Sequence, residues 1–157
     1  MVIQRIQTLL LLLAAIVMAC FTFCTVGQVS TEQYTFALSS LGFQYEGIAT
    51  DGAPTGWFQH TWFFFTVSLL GCLLPLISIF FFKNLRFQKQ LTLVSALFAV
   101  ASLCVALTLG YNTVADSRVE WNYGMMCAPV IAVVSLCLAW RYINRDKKLL
   151  SSADRLR

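Results

Sequence analysis

The residues best suited to chemistry lie between Gly52 and Phe65, a segment that holds the chain's only histidine, His60, and two of its four tryptophans, Trp57 and Trp62. A histidine titrates near neutral pH and can serve as an acid, a base or a metal ligand. Tryptophan, however, is enriched where a helix meets the membrane–water interface. We therefore expect an aromatic belt here, with a hydrogen bond for His60 at the interface.

A contact with a ligand or partner is the alternative for this segment. It would involve Trp57, His60 and Trp62 together with Trp121 from the second outer loop. The loop acids Glu32, Glu46 and Asp51 are the other companions expected for His60, which would make such a contact sensitive to pH.

The six cysteines are the second set of reactive groups, and all of them lie in apolar stretches: Cys20, Cys24, Cys72, Cys104, Cys127 and Cys137. A disulfide-exchange enzyme needs paired thiols at an oxidising surface, so this class is disfavoured. Cys20 and Cys24 lie one helical turn apart, which leaves a soft metal site as an alternative. We expect packing roles instead, and no metal.

Other catalytic classes lack their residues in this sequence. Haem between helices needs paired histidines within the membrane, and proton-coupled transport usually needs an ionisable residue at that depth. The chain also contains no phosphate-binding loop, zinc-protease motif or nucleophile elbow. We expect no enzymatic activity, no catalytic residue and no cofactor.

The composition indicates an integral membrane protein. Of 157 residues, 59% are hydrophobic and 11% are charged, against roughly 25% charged in soluble domains. At about 1.5 Å per residue, four apolar stretches match a hydrocarbon core of roughly 30 Å. We predict one four-span domain over residues 1–157, an all-α transmembrane bundle with spans at 9–26, 61–82, 91–110 and 123–143.

The basic residues predict the orientation of the spans. Ten of the 11 cations lie in one of three places: before the first span, in "KNLRFQKQ", or from Arg141 to the end of the tail 144–157. Arg118 is the exception. By the positive-inside rule, both termini are cytoplasmic. The charge of +4 thus indicates insertion direction and attraction to anionic headgroups, and no nucleic acid is expected as a partner.

The first span has an alternative interpretation as a cleaved secretory signal, because Arg5 precedes an apolar stretch, or as a lipoprotein signal cleaved before Cys20. The apolar run continues through Phe21, Phe23 and Val26 instead of turning polar after the cysteine. We therefore expect the first span to be retained.

Small residues recur at helical spacing and predict where the helices pack, since close approach drives helix association in lipid. The clearest sets occupy spans three and four: Ser95, Ala99, Ser102, Ala106, Gly124, Ala128, Ala132, Ser135 and Ala139. Pro75 and Pro129 each remove a helical hydrogen bond. We expect them to shape packing, with a ligand cleft beside them as the alternative.

The outer loop 27–60 is long enough to have structure of its own. Tyr34, Phe36 and Leu38 alternate, as do Phe43 and Tyr45, on either side of a Ser-Ser-Leu-Gly break, which predicts a small β-hairpin over the outer end of the bundle. We expect the tail to extend span four as a solvated, lipid-facing segment. A short partner-binding helix with a capping box at 151–154 is the alternative.

Both ends of the chain resemble a known family. "IQRIQTLLLLLAA" at 3–15 and "SADRLR" at 152–157, flanking four spans, are similar to a family of small bacterial inner-membrane proteins classed as a domain of unknown function. The resemblance implies a retained first span and this topology, and it supplies no activity and no catalytic residues. The layout is also similar in plan to the claudin type, without the cysteine pair that marks the claudin outer loop.

These patterns together predict a non-enzymatic, multi-pass protein of the bacterial inner membrane. We expect an accessory or scaffold subunit of a larger membrane complex, with a protein partner in the membrane and contacts to anionic lipid headgroups. The alternative function is a lipid- or quinone-binding carrier with a cleft near the outer membrane edge, beside Pro75 and Pro129.

Overall fold

Four helices dominate the computed structural model, which describes residues 2–31, 34–46, 56–82, 84–112 and 118–154. Within that part of the chain they are α1 (Val2–Phe23), α2 (Trp62–Phe80), α3 (Leu85–Asn112) and α4 (Tyr123–Asp154). Each contains a stretch long and apolar enough to cross a membrane. The prediction of four apolar spans in a multi-pass membrane protein is confirmed.

The helices are arranged as a ring. Helix α1 packs against α2 and α4, and α3 packs against the same two helices. Helix α1 contributes large side chains to the interior, including Leu11, Met18 and Phe21. The rings of Phe21 and of Phe64 on α2 form a T-shaped pair, with 6.0 Å between their centroids. Beyond Gln88 and Thr92, α3 buries only small residues. Its backbone can therefore approach its neighbours closely.

Five short strands form one antiparallel sheet. They are β1 (Gly27–Ser30), β2 (Thr35–Ser39), β3 (Gly42–Tyr45), β4 (Trp57–His60) and β5 (Arg118–Trp121), in the order β4-β3-β2-β1-β5. The predicted mainly helical fold is confirmed, and the predicted hairpin is present as β2 and β3, but it is part of a larger five-stranded sheet. The sequence did not predict strands β1, β4 and β5, and β5 pairs with β1 across about ninety positions, a pairing that no local pattern specifies.

The sheet lies at one end of the bundle, where α1 and α3 end and α2 and α4 begin; we call this the sheet end. The opposite end, which carries most of the described cations, is called the basic end. Alternation along the strands gives the sheet an apolar inner face, with Val29, Phe36, Leu38 and Phe43 buried. Leu109 of α3 packs against this cluster and also against the bundle core. Sheet and bundle therefore share one continuous interior.

Two helices differ in extent from the predicted spans. Helix α3 begins at Leu85, so part of "KNLRFQKQ" is helical and the turn between α2 and α3 is shorter than expected. Helix α4 runs without a break to Asp154. The capping-box pattern at 151–154 therefore lies inside a helix and does not begin a new one; the chain after 154 is outside the described residues.

Candidate functional site

The turn of the β2–β3 hairpin is built into the bundle. Ser40, at the turn, is fully buried, and its hydroxyl donates to the backbone carbonyl of Thr22 near the end of α1. The Ser40 carbonyl accepts a hydrogen bond of 3.1 Å from the hydroxyl of Thr61, directly before α2. The Thr61 amide donates to the Leu41 carbonyl at 3.0 Å. The hairpin is thus bonded to both α1 and α2.

A second polar contact continues this network into the membrane-spanning part. The hydroxyls of Thr22 and Ser68 lie 2.6 Å apart, and Thr22 also donates to the Met18 carbonyl at 2.8 Å. Both hydroxyls are buried and satisfied. Buried polar groups that are fully hydrogen-bonded fix one arrangement of the elements that carry them. The sheet is therefore held in a defined position on the bundle.

The aromatic segment singled out from the sequence forms strand β4 and the start of α2. The His60 ring lies between two tryptophans, at 5.2 Å from Trp57 and 5.8 Å from Trp62 by ring centroids. The three side chains are exposed, with Trp57 at 42% and Trp62 at 65%. The structure brings these three predicted residues together as a surface stack.

Trp121 lies apart from this stack. It belongs to β5, at the opposite edge of the sheet from β4. Its ring packs on Gly110 of α3, where an added Cβ would come within 2.3 Å of the indole, and it lies 5.8 Å from the ring of Tyr111. Two of the loop acids expected near His60, Glu32 and Asp51, lie outside the described residues, and Glu46 is exposed.

The outer face of the sheet is polar. Paired residues on neighbouring strands point to the same side, so the pairings place one row across the whole sheet: Glu120, Gln28, Ala37, Gln44 and Trp57. A second row contains Arg118, Ser30 and Thr35. The two glutamines and both charged residues are exposed. We call this surface the polar face; sequence reasoning missed it because it depends on the pairing of two separate loops.

The predicted packing residues lie mostly inside the bundle. The buried members are Ser95, Ala99, Ser102, Ala106, Ala128, Ala132, Ser135 and Ala139. Several of the serines bond helical carbonyls, as Ser102 does to Ala99 at 2.8 Å. Gly124 is different: it is exposed at the sheet end, where an added Cβ would meet only the side chain of Asn122.

The lipid-facing flank of the described helices contains two grooves. One, of about 310 Å³, lies between α3 and α4 toward the basic end. The other, of about 250 Å³, lies between α1 and α4. Pro75 and Pro129 are buried and line neither groove. The other residues predicted to contact a ligand do not line them either: Trp57, His60, Trp62 and Trp121. The cleft expected beside the prolines is not among these two grooves.

The cysteines are dispersed over the helices. Cys72 is buried, with its sulfur 3.4 Å from the Ala15 carbonyl oxygen, and the other five are exposed on the apolar flanks. Among the described residues, no group of three or more histidine, cysteine or acidic side chains is placed to hold a metal ion.

The basic end is held by a different kind of contact. The side-chain amide of Gln7 on α1 donates to the Asp146 carboxylate on α4. The Lys89 ammonium on α3 lies 4.8 Å from the centre of the Trp140 ring on α4. Gln88 is also buried there, and its carbonyl oxygen Oε1 has no hydrogen-bond partner within the described part of the chain.

Comparison with known protein families identifies the family of this chain. A family model described as a domain of unknown function, DUF4293, covers residues 3–156. This match confirms the resemblance of the terminal motifs to an uncharacterised family. No curated protein matches the chain.

Proposed function

The chain belongs to the DUF4293 family, and from this premise we propose that it is a non-enzymatic accessory subunit of a complex in the bacterial inner membrane. Its role would be to hold a rigid sheet at the outer surface of the membrane as a docking platform for a partner protein. The observation that carries the proposal is the sheet itself, which joins both outer loops and is bonded to two helices through buried groups.

A preorganised surface favours binding because little conformational entropy is lost when a partner docks. The polar face fits this role, since glutamine and charged side chains can form hydrogen bonds with a partner without an exposed apolar patch in water. The stack of Trp57, His60 and Trp62 continues from the sheet edge to α2. A partner with its own transmembrane helix could therefore contact the sheet and the membrane boundary together.

Orientation is part of the same proposal. The cations at the basic end support a cytoplasmic location for both termini, with the sheet on the extracytoplasmic side. Fusions of green fluorescent protein and of alkaline phosphatase to the C-terminus test this directly. We expect fluorescence from the first fusion and no phosphatase activity from the second; the reverse pattern would contradict the orientation.

The accessory role is tested by the size of the complex extracted in a mild detergent. We expect the wild-type chain in an assembly heavier than its own 17.6 kDa, with a second protein in fixed stoichiometry. The double variant Gln28→Arg/Gln44→Arg places two bulky charges at the middle of the polar face and should release the partner. Arg145→Gln, at the exposed basic end, is the matched control and should retain it.

Two results would contradict the proposal. One is a wild-type chain that is extracted alone and monomeric under every mild condition. The other is a complex that survives the double variant unchanged, which would place the partner away from the polar face. Amide hydrogen exchange in the sheet establishes that the double variant keeps its fold.

The alternative function, a carrier of a lipid or quinone near the outer edge, has less support. A site for such a ligand usually encloses it in a concave apolar pocket with a few polar groups. The stack of Trp57, His60 and Trp62 is exposed instead, and none of these residues lines the α3–α4 groove or the α1–α4 groove.

A further inference from the structure

The groove between α3 and α4 combines an apolar floor with a charged mouth. Its lining includes Leu93 and Ala96 from α3 and Leu136 and Trp140 from α4, with Arg141 at one end. From Arg141 to Leu136 the groove follows α4 for about 7.5 Å at 1.5 Å per residue. Its volume is about 310 Å³. An open apolar groove of this size can hold part of a hydrocarbon chain whose polar end lies on the side of Arg141.

Several cations lie on α3 and α4 near that end. Lys89 lies over the Trp140 ring at 4.8 Å, which holds its ammonium beside the groove. On α3, Arg86 precedes Lys89 by three positions, and on α4, Arg145 follows Arg141 by four. The two members of each pair are therefore one helical turn apart on the same side of their helix. Arg86, Arg141 and Arg145 are exposed. The mouth of the groove is therefore strongly positive.

No nearby acid cancels this charge. Between Leu85 and Asn112, and between Tyr123 and Leu150, the sequence has a single acidic residue, Asp146. Its carboxylate accepts a hydrogen bond from Gln7 on α1 and is thereby held toward the α1 side of α4. The charge at the mouth is thus available for an anion from outside the chain.

The second groove provides an internal comparison. It has a similar volume, about 250 Å³, and it is lined by Leu10, Leu13, Val130, Ile131, Val134 and other uncharged residues of α1 and α4. This groove is apolar like the first one, but no cation is among its lining residues. A lipid chain in this groove would meet no cation among the lining residues, whereas a chain in the α3–α4 groove would bring its headgroup close to Arg141.

We propose that the α3–α4 groove is a binding site for an anionic phospholipid, with one acyl chain along Leu93, Ala96 and Leu136 and the phosphate beside Lys89 and Arg141. Basic pockets between membrane helices at the cytoplasmic surface bind anionic headgroups in this way. Arginine supplies paired donors to phosphate oxygens. The assignment of this site to the cytoplasmic leaflet rests on the proposed function, because it follows from the proposed orientation; the site itself does not depend on it.

Native mass spectrometry of the full chain tests the site. The protein is released from nanodiscs made of equal amounts of phosphatidylglycerol and phosphatidylcholine, and the retained lipids are identified. We expect the wild type to keep phosphatidylglycerol in preference. Arg141→Gln should lower that preference about fivefold, and Lys89→Gln/Arg141→Gln should abolish it. Lys147→Gln, an exposed cation of α4 that does not line the groove, is the matched control and should leave the preference unchanged.

A second pair of variants tests the groove without changing any charge. Ala96→Phe fills the α3–α4 groove and should reduce retained phosphatidylglycerol at least fivefold. Val134→Phe fills the uncharged groove and should have no effect on it. Equal retention of the two lipids by the wild type would overturn the proposal, as would an Ala96→Phe variant that retains phosphatidylglycerol normally. These outcomes are independent of the partner complex, whose presence is measured by the mass of the extracted assembly.

Discussion

The two ends of the bundle are stabilised in different ways. At the sheet end, hydroxyls and backbone groups of Thr22, Ser40 and Thr61 are buried and hydrogen-bonded, next to a cluster of fully buried apolar side chains. At the basic end, Lys89 over Trp140 and Gln7 with Asp146 join the helices, while several cations remain exposed. The sheet end is therefore built for a fixed shape, and the basic end for interaction with its surroundings.

The two ends also use different sources of stability. The inner face of the sheet removes apolar surface from water, so the hydrophobic effect contributes fully there. Within the membrane, lipid is as apolar as leucine, and the helices depend on close packing of small residues. Substitutions at the sheet end should consequently change stability most, and substitutions at the basic end should mainly change lipid contacts.

The largest effect is expected at Phe43, which is fully buried in the sheet. Phe43→Ala leaves a cavity and should lower the free energy of opening of the sheet by about 4 kcal/mol, measured by hydrogen exchange of the β2 and β3 amides. Phe58→Ala is the control, since Phe58 is 49% exposed and contacts Phe36 at 5.1 Å between ring centroids. It should cost about 1 kcal/mol. Equal losses would contradict a buried core in the sheet.

A smaller loss of stability is expected for a substitution at Gly42, directly after the hairpin turn. Its φ is +145°, and an added Cβ would lie 2.1 Å from the Gln59 carbonyl oxygen on β4. Gly42→Ala should therefore weaken the β3–β4 pairing by about 3 kcal/mol in the same exchange measurement.

Gly56→Ala is the matched control for this position. Gly56 also has a positive φ, +116°, but an added Cβ would meet no atom of the described residues within 4 Å. The substitution should cost only the backbone strain, about 1 kcal/mol. If both alanines cost the same, the close approach of Gly42 to β4 would be refuted.

The smallest effect is expected at the basic end. Lys89→Gln removes a partly exposed cation–π contact and should lower the free energy of unfolding by about 0.5 kcal/mol in denaturant titrations in detergent. The same variant should reduce the preference for phosphatidylglycerol severalfold. A stability loss comparable to that of Phe43→Ala would erase the contrast between the two ends.

The sequence was sufficient to predict the four apolar helices and the hairpin of β2 and β3. Length and hydropathy identify a span because lipid requires each helix to satisfy its own backbone, which is a local condition. The hairpin was predictable for a related reason: its two strands are neighbours in sequence, and Phe36, Leu38 and Phe43 alternate toward one face. The terminal motifs likewise pointed to the family.

Only the tertiary structure decided how the two loops at the sheet end combine. Strand β5 pairs with β1 although about ninety positions separate them, and nothing in "RVEW" alone specifies that partner. The same pairing moves Trp121 to the edge opposite His60 and creates the polar face. The α3–α4 groove likewise depends on which helices are neighbours in the ring. Spacing along a chain determines local geometry, whereas contacts between distant segments depend on the packing of the whole molecule.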